Sequence, residues 1–204
     1  MIRPATASSL VVAGICALAG FVSTARVNAE SVLFAFRSGA PNDAVEMRAV
    51  EVSAAQGDSG MALHVDGEDD SAWAGIVLKA PHGCWNLSDH DGLMFDVRNT
   101  GADELTIECR VENADADSPL HANTGRVTLA PGARGTLEVR FKRSVFGLAS
   151  LHIFGMRAFP PPDAGEGTID PSTIARVAIL VLKPKSKFSF EIGDVRLSAL
   201  SVSG

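Results

Sequence analysis

Apolar and polar residues alternate at every second position along much of this chain, and no long segment carries a 3.6-residue period. Leu93, Phe95 and Val97 share one face of a predicted strand, with Met94, Asp96 and Arg98 on the other. Leu105, Ile107, Cys109 and Val111 alternate in the same way with Thr106, Glu108, Arg110 and Glu112. Leu137, Val139 and Phe141 repeat the pattern, as do Phe188, Phe190 and Ile192. Residues 32–36, 45–52, 61–65 and 76–79 predict further strands, and the unbroken apolar run from Val177 to Leu182 predicts one buried on both faces or covered by a loop. Asn99-Thr100-Gly101-Ala102 and Pro131-Gly132-Ala133 read as hairpin turns. The single predicted helical turn spans 171–175, with Asp170 as its N-cap and Pro171 at the first helical position. About ten strands separated by turn signals predict an all-β fold, a β-sandwich, most economically a jelly roll. A (β/α)8 barrel needs roughly 250 residues and alternating helices, and neither is present.

The first 29 residues read as a secretory signal peptide: Arg3 is the positive start, Leu10 to Val22 the apolar run, and Val27-Asn28-Ala29 the small-residue cleavage site. That run is shorter than the ~20 residues a membrane span requires. Ile15 precedes Cys16 where a lipoprotein signal would place a small residue, which argues against a lipid anchor. The expected mature chain is therefore a single domain, 30–204, secreted or periplasmic. Arg3 and Arg26 leave with the signal, so 18 basic residues become 16 against 24 acidic ones, a net charge of −8. Such a surface repels phosphate backbones and makes nucleic acid a poor partner, while a neutral polysaccharide is compatible with it. Cys84 and Cys109 remain, either as one disulfide or with Cys109 as a small core hydrophobe.

Residues 154–174 interrupt the strand pattern with a long Pro- and Gly-rich segment carrying apolar anchors at Met156, Phe159 and Ile169. Within it stand Gly155-Met156-Arg157, the Pro160-Pro161 pair, and Ile169-Asp170 ahead of the helical turn. Together these resemble a signature of the non-catalytic, carbohydrate-binding-like domain of the family-fifty glycoside hydrolase β-agarases. Phe34-Ala35-Phe36, Gly60 to Val65, Trp73 to Leu78, Trp85-Asn86-Leu87-Ser88 and Gly92 to Val97 resemble strands of the same module. Phe190 to Arg196 resembles the closing strand of galactose-binding-like jelly rolls. The resemblance implies a module that binds galactan- or agarose-type polysaccharide, or docks beside a glycoside hydrolase catalytic domain, without the catalytic barrel.

Sugar recognition needs an apolar ring face for sugar C–H groups and planar polar groups for hydroxyls. Trp85 lies in a polar turn and reads as either a binding platform or a core plug, whereas Trp73 opens an apolar strand and reads as core. Arg157 offers five fixed donors to sugar hydroxyls, or pairs with Asp170 or Asp163 and holds its loop shut. The expected carbohydrate site is a rim groove where the Trp85 turn meets the 155–170 loop, with Asn86 and His82 as secondary polar contacts. Glu108, Arg110 and Glu112 line the polar face of one strand and read first as a solvated face. Asp194 and Glu30 could contribute to a structural Ca2+ site, although calcium requires six to eight oxygen ligands. His82-Gly83-Cys84 and Asp89-His90-Asp91 lack a recognisable metal spacing. Gly57-Asp58-Ser59-Gly60 resembles a serine-protease nucleophile segment, but no histidine precedes it, as the trypsin-like order demands. Two rival readings are a structural or protein-interaction sandwich without a sugar site, and a fragment of an agarase glycoside hydrolase.

Overall fold

The structure is a computed structural model and describes residues 31–36, 43–55, 63–68, 73–116, 121–142 and 168–199. The predicted signal peptide, Glu30, and residues 143–167, including Arg157 and Asp163, lie outside the described residues. Twelve strands are present among them: β1 Ser31–Phe34, β2 Val45–Arg48, β3 Val50–Ala54, β4 Leu63–Gly67, β5 Gly75–Lys79 and β6 His90–Asn99. The remaining six are β7 Leu105–Asn113, β8 Ala122–Leu129, β9 Arg134–Arg140, β10 Ile174–Val181, β11 Phe188–Ile192 and β12 Val195–Ala199. A single 3-10 turn, Pro171–Thr173, precedes β10, capped by Asp170, whose carboxylate accepts from the Ser172 N–H at 2.9 Å.

The strands form two sheets, all pairs antiparallel. One has five strands in the order β2-β5-β10-β7-β8; the other has seven, β1-β12-β6-β11-β4-β3, with β9 on the free side of β6. The sheets face each other over one core, in which Phe95 and Phe190 are fully buried with Leu63, Ile107, Ile179 and Ile192. This is the jelly-roll β-sandwich that the alternating pattern implies, with every inward position of β6, β7, β9 and β11 as expected.

Three local expectations are corrected. Residues 45–52 are two strands, because Ala49 adopts a left-handed φ of 51° that sends β2 into the five-stranded sheet and β3 into the other. Neither turn is a hairpin: β6 and β7 belong to different sheets, and so do β8 and β9. Asn99 explains both crossings. It is fully buried, donates from Nδ2 to the Asp103 and Leu129 carbonyls at 2.8 and 2.9 Å, and accepts from the Gly101 N–H at 2.9 Å. Its backbone adds bonds to Ala133 and Gly132, so one side chain ties the two interlayer turns together. β8, with its polar run and Gly125, carries too little apolar alternation to be seen in the sequence.

Asn113 and Asn123 do equivalent work at the other end. Asn113 donates to the Asp170 and Thr173 carbonyls and accepts from the Asp170 N–H, while Asn123 Oδ1 accepts from the Lys142 N–H at 2.7 Å. Ile169 N–H donates to the Lys142 carbonyl at 3.0 Å, which brings the end of β9 beside the start of the 3-10 turn. Both cysteines are free, Cys84 exposed and Cys109 buried; burial, then the neighbouring Glu108 carboxylate, push the Cys109 thiol well up from its ordinary range.

Candidate functional site

The register of the five-stranded sheet assigns its outward side chains row by row. One row runs Lys79, Arg176, Glu112 across β5, β10 and β7. The next runs Glu46, Val77, Ala178, Arg110, Thr124 from β2 to β8. A third runs Arg48, Gly75, Leu180, Glu108, Arg126. Down the middle lies an apolar strip of Val77, Ala178 and Leu180, a cluster separate from the main core and buried although it faces outward. Arg48, Arg110 and Arg176 flank it and line a groove of about 300 Å³ with Trp73, Glu112 and the strip itself. Arg48 and Arg176 keep part of their side chains exposed there, while Arg110 is largely covered.

Trp73 stands at one end of that strip, 53% exposed. The Val181 N–H donates to the Ala74 carbonyl at 2.8 Å and fixes the backbone just after it. Gly75 follows with φ +152°, and a Cβ there would sit 2.1 Å from the Ile179 carbonyl oxygen. Only glycine lets β5 press this closely onto β10 at this position. The reading of Trp73 as core is thereby corrected. Its parity along β5 is that of Val77 and Lys79, which point outward, whereas Ile76 and Leu78 point into the core. Counting back by twos from Lys79 would have placed it.

Ion pairs set the polar edges. Glu112 lies between Arg110 and Arg176, with Oε1 2.5 Å from Arg110 Nε and Oε2 2.8 Å from Arg176. Glu46 takes Lys79 at 2.6 Å and Arg48 at 2.9 Å, and these two partners, Lys79 first, hold its carboxyl below the usual carboxylate range. Glu108, nearly buried, pairs with Arg126 at 2.6 Å. The arrangement offers an exposed aromatic ring with several fixed N–H donors beside it. Its carboxylate, Glu112, is held by two cations.

The residues expected at the rim lie beyond the opposite end of β5 from Trp73. Trp85 is half-buried against the core and bonds to Ile174 through both its N–H (2.7 Å) and its carbonyl (3.1 Å). The Leu87 N–H donates to the Pro171 carbonyl at 2.7 Å, so the 85–87 segment abuts the 3-10 turn. His82 and Asn86 are exposed, and Asn86 Oδ1 accepts from the Ser88 N–H at 3.1 Å. Arg157, the fourth member, is outside the described residues. Asp194 accepts the Phe36 N–H at 3.0 Å. No group of three or more metal-ligating side chains occurs among the described residues. A larger hollow of about 760 Å³, lined by Glu51, Asp66, Glu68, Lys187 and Phe188, has no exposed aromatic ring on it.

No family model and no curated protein matches the sequence. Among solved structures, an exo-β-agarase superposes with a TM-score of 0.62 and 16% identity over 83% of this chain and 25% of that one. Another agarase gives 0.60 and 16%, over 84% and 25%. A family 11 carbohydrate-binding module from Clostridium thermocellum, solved with a β-1,3-1,4-mixed-linked tetrasaccharide, gives 0.52 and 17%, over 83% and 95%. The chain thus spans a quarter of the agarases and nearly all of the binding module. What it shares with them is the fold, a two-sheet β-sandwich of the jelly-roll type.

Proposed function

We propose that this chain is a non-catalytic carbohydrate-binding module that holds a polysaccharide against the outer face of its five-stranded sheet, with Trp73 as the stacking residue. The carrying observation is an indole 53% exposed at the end of an apolar strip flanked by guanidinium groups. A sugar ring presents C–H groups on its faces and hydroxyls at its edges, and an aromatic platform with fixed N–H donors beside it matches both. Similarity to agarases supports a galactan backbone, agarose-like, and the N-terminal signal supports export to the periplasm or beyond. Docking of the module beside a glycoside hydrolase barrel fits the quarter-length match to the agarases.

The test is affinity electrophoresis in gels containing agarose or mixed-linked glucan. Trp73→Ala is expected to weaken retardation about tenfold or more, the ~1.4 kcal/mol scale of a truncated aromatic anchor. Melting should stay within about 2 °C, since an exposed side chain contributes little to stability. Retention of full binding by Trp73→Ala, with loss in Trp85→Ala or Arg157→Ala, would move the site to the rim. Loss of binding in none of them would favour the structural sandwich. Reducing-end release from galactan that disappears with a carboxylate variant would overturn the non-catalytic reading.

A further inference from the structure

The charge of the proposed face differs from that of the rest of the chain. The protein carries a formal −6. The outward positions of the five-stranded sheet nevertheless hold five cations, Arg48, Lys79, Arg110, Arg126 and Arg176. Three carboxylates, Glu46, Glu108 and Glu112, oppose them, a surplus of two positive charges among the described residues. The seven-stranded sheet has the opposite balance. Its outward rows carry four cations (Arg98, Arg134, Arg140, Arg196) against five carboxylates (Glu51, Asp66, Asp96, Glu138, Glu191). The positive surplus therefore coincides with the groove that holds Trp73.

We infer that the groove selects an anionic polysaccharide, one whose sugar rings carry sulfate esters or carboxylates, over the neutral chain of the same backbone. This inference rests on the proposed carbohydrate-binding role and names the chemistry of its ligand. Guanidinium groups lie on both sides of the apolar strip, Arg48 from β2 and Arg110 from β7. Three strand spacings, about 14 Å, separate those strands. A sugar chain stacked on Trp73 would lie across this groove, with its ring substituents reaching the guanidinium groups that line it. Oxyanions match the planar, multi-donor guanidinium, and each one met there is a charge-assisted contact unavailable to a hydroxyl. The resident carboxylates position the arginines without cancelling them, because Glu112 is shared between Arg110 and Arg176, and Glu46 between Arg48 and Lys79.

The experiment titrates the full chain with three probes of matched length: neutral agaro-oligosaccharide, a sulfated galactan and a polygalacturonate. Each is measured at low ionic strength and at about 0.5 M NaCl, where the screening length falls below ~5 Å. At least one anionic probe is expected to bind about fivefold or more tightly than the neutral one at low salt, with the advantage shrinking at high salt. Which anionic probe does so separates sulfate from carboxylate. Arg48→Gln should lower affinity for that probe at least twofold more than for the neutral one, and Arg140→Gln on the other sheet should change neither. Neutral oligosaccharide bound as tightly as both anionic probes would overturn the inference and leave carbohydrate binding standing. No binding of any probe would overturn both. Duplex DNA bound as tightly as the anionic sugar would also overturn it, since charge alone would then account for the affinity.

Discussion

Replacing Asn99 by aspartate keeps the size and shape of the side chain and removes its two donors. In the native protein those donors serve the Asp103 and Leu129 carbonyls at 2.8 and 2.9 Å, in a position with no solvent exposure. A buried polar group deprived of its partner costs about 1–3 kcal/mol. Two such carbonyls, now facing a carboxylate, therefore predict a loss of about 2–5 kcal/mol. For a domain of this size each kcal/mol shifts melting by roughly 2–4 °C, so Tm should fall by about 5–15 °C in calorimetry at pH 7. The pH dependence gives a second check. Burial raises the folded-state pKa of the introduced carboxyl above its unfolded value, so the folded state binds the extra proton and stability falls as pH rises between the two. The deficit against the parent should thus shrink toward about pH 4, where a protonated carboxyl can donate one of the lost bonds. A Tm within ~2 °C of the parent across that range would refute the role of Asn99 as the tie between the two interlayer turns.

Gly75→Ala places a methyl 2.1 Å from the Ile179 carbonyl oxygen at a backbone angle that L-residues avoid, and should cost about 2–4 kcal/mol in denaturant unfolding. Sugar affinity in its surviving folded fraction should also drop, because β5 and β10 can no longer close at Gly75, two residues after Trp73. In the chain cleaved after Ala29, one thiol should react rapidly with a thiol reagent under native conditions and two in guanidinium, Cys84 being exposed and Cys109 buried with its thiol pKa raised. Glu46 and Asp170 both have lowered pKa values, from Lys79 and Arg48 in one case and the Ser172 hydroxyl and N–H in the other. Their stabilising contribution is present above the unfolded carboxylate range and lost as pH falls below about 4, so Glu46→Gln and Asp170→Asn should flatten the acid limb of the Tm profile.

The layers of this fold were legible because period-two alternation survives wherever a strand has one wet face. β6, β7, β9 and β11 were read from that alone, and the N-cap at Asp170 from a local hydrogen-bonding rule. What failed depended on which strand meets which. Asn99-Thr100-Gly101 has the composition of a hairpin turn, yet the buried amide of Asn99 makes it a crossing between sheets, and no local pattern separates those outcomes. Ala49 ends a strand without glycine or proline to announce it. Trp73 was misjudged for a different reason. Hydrophobicity outweighed parity, although the outward position of Lys79 already fixed the face of Trp73 six residues earlier.

That parity also explains why the groove belongs to the sheet face and not to a loop. An outward row on an antiparallel sheet normally carries polar residues, and isolated ion pairs there contribute at most about 1 kcal/mol to stability. Val77, Ala178 and Leu180 break the rule together, at three adjoining outward positions in the middle of the sheet, and the flanking arginines line the same groove. The strip is already buried, so the exposed part of this face is the Trp73 indole with the guanidinium groups beside it. A ligand proposed for this face would therefore supply apolar ring surface to Trp73 and negative charge to the flanking guanidinium groups. The rim at Trp85 lacks that signature, since its indole already packs on the core and its backbone is already paired with Ile174. The face around Trp73, with its exposed indole beside guanidinium groups, is thus where we propose that a ligand binds.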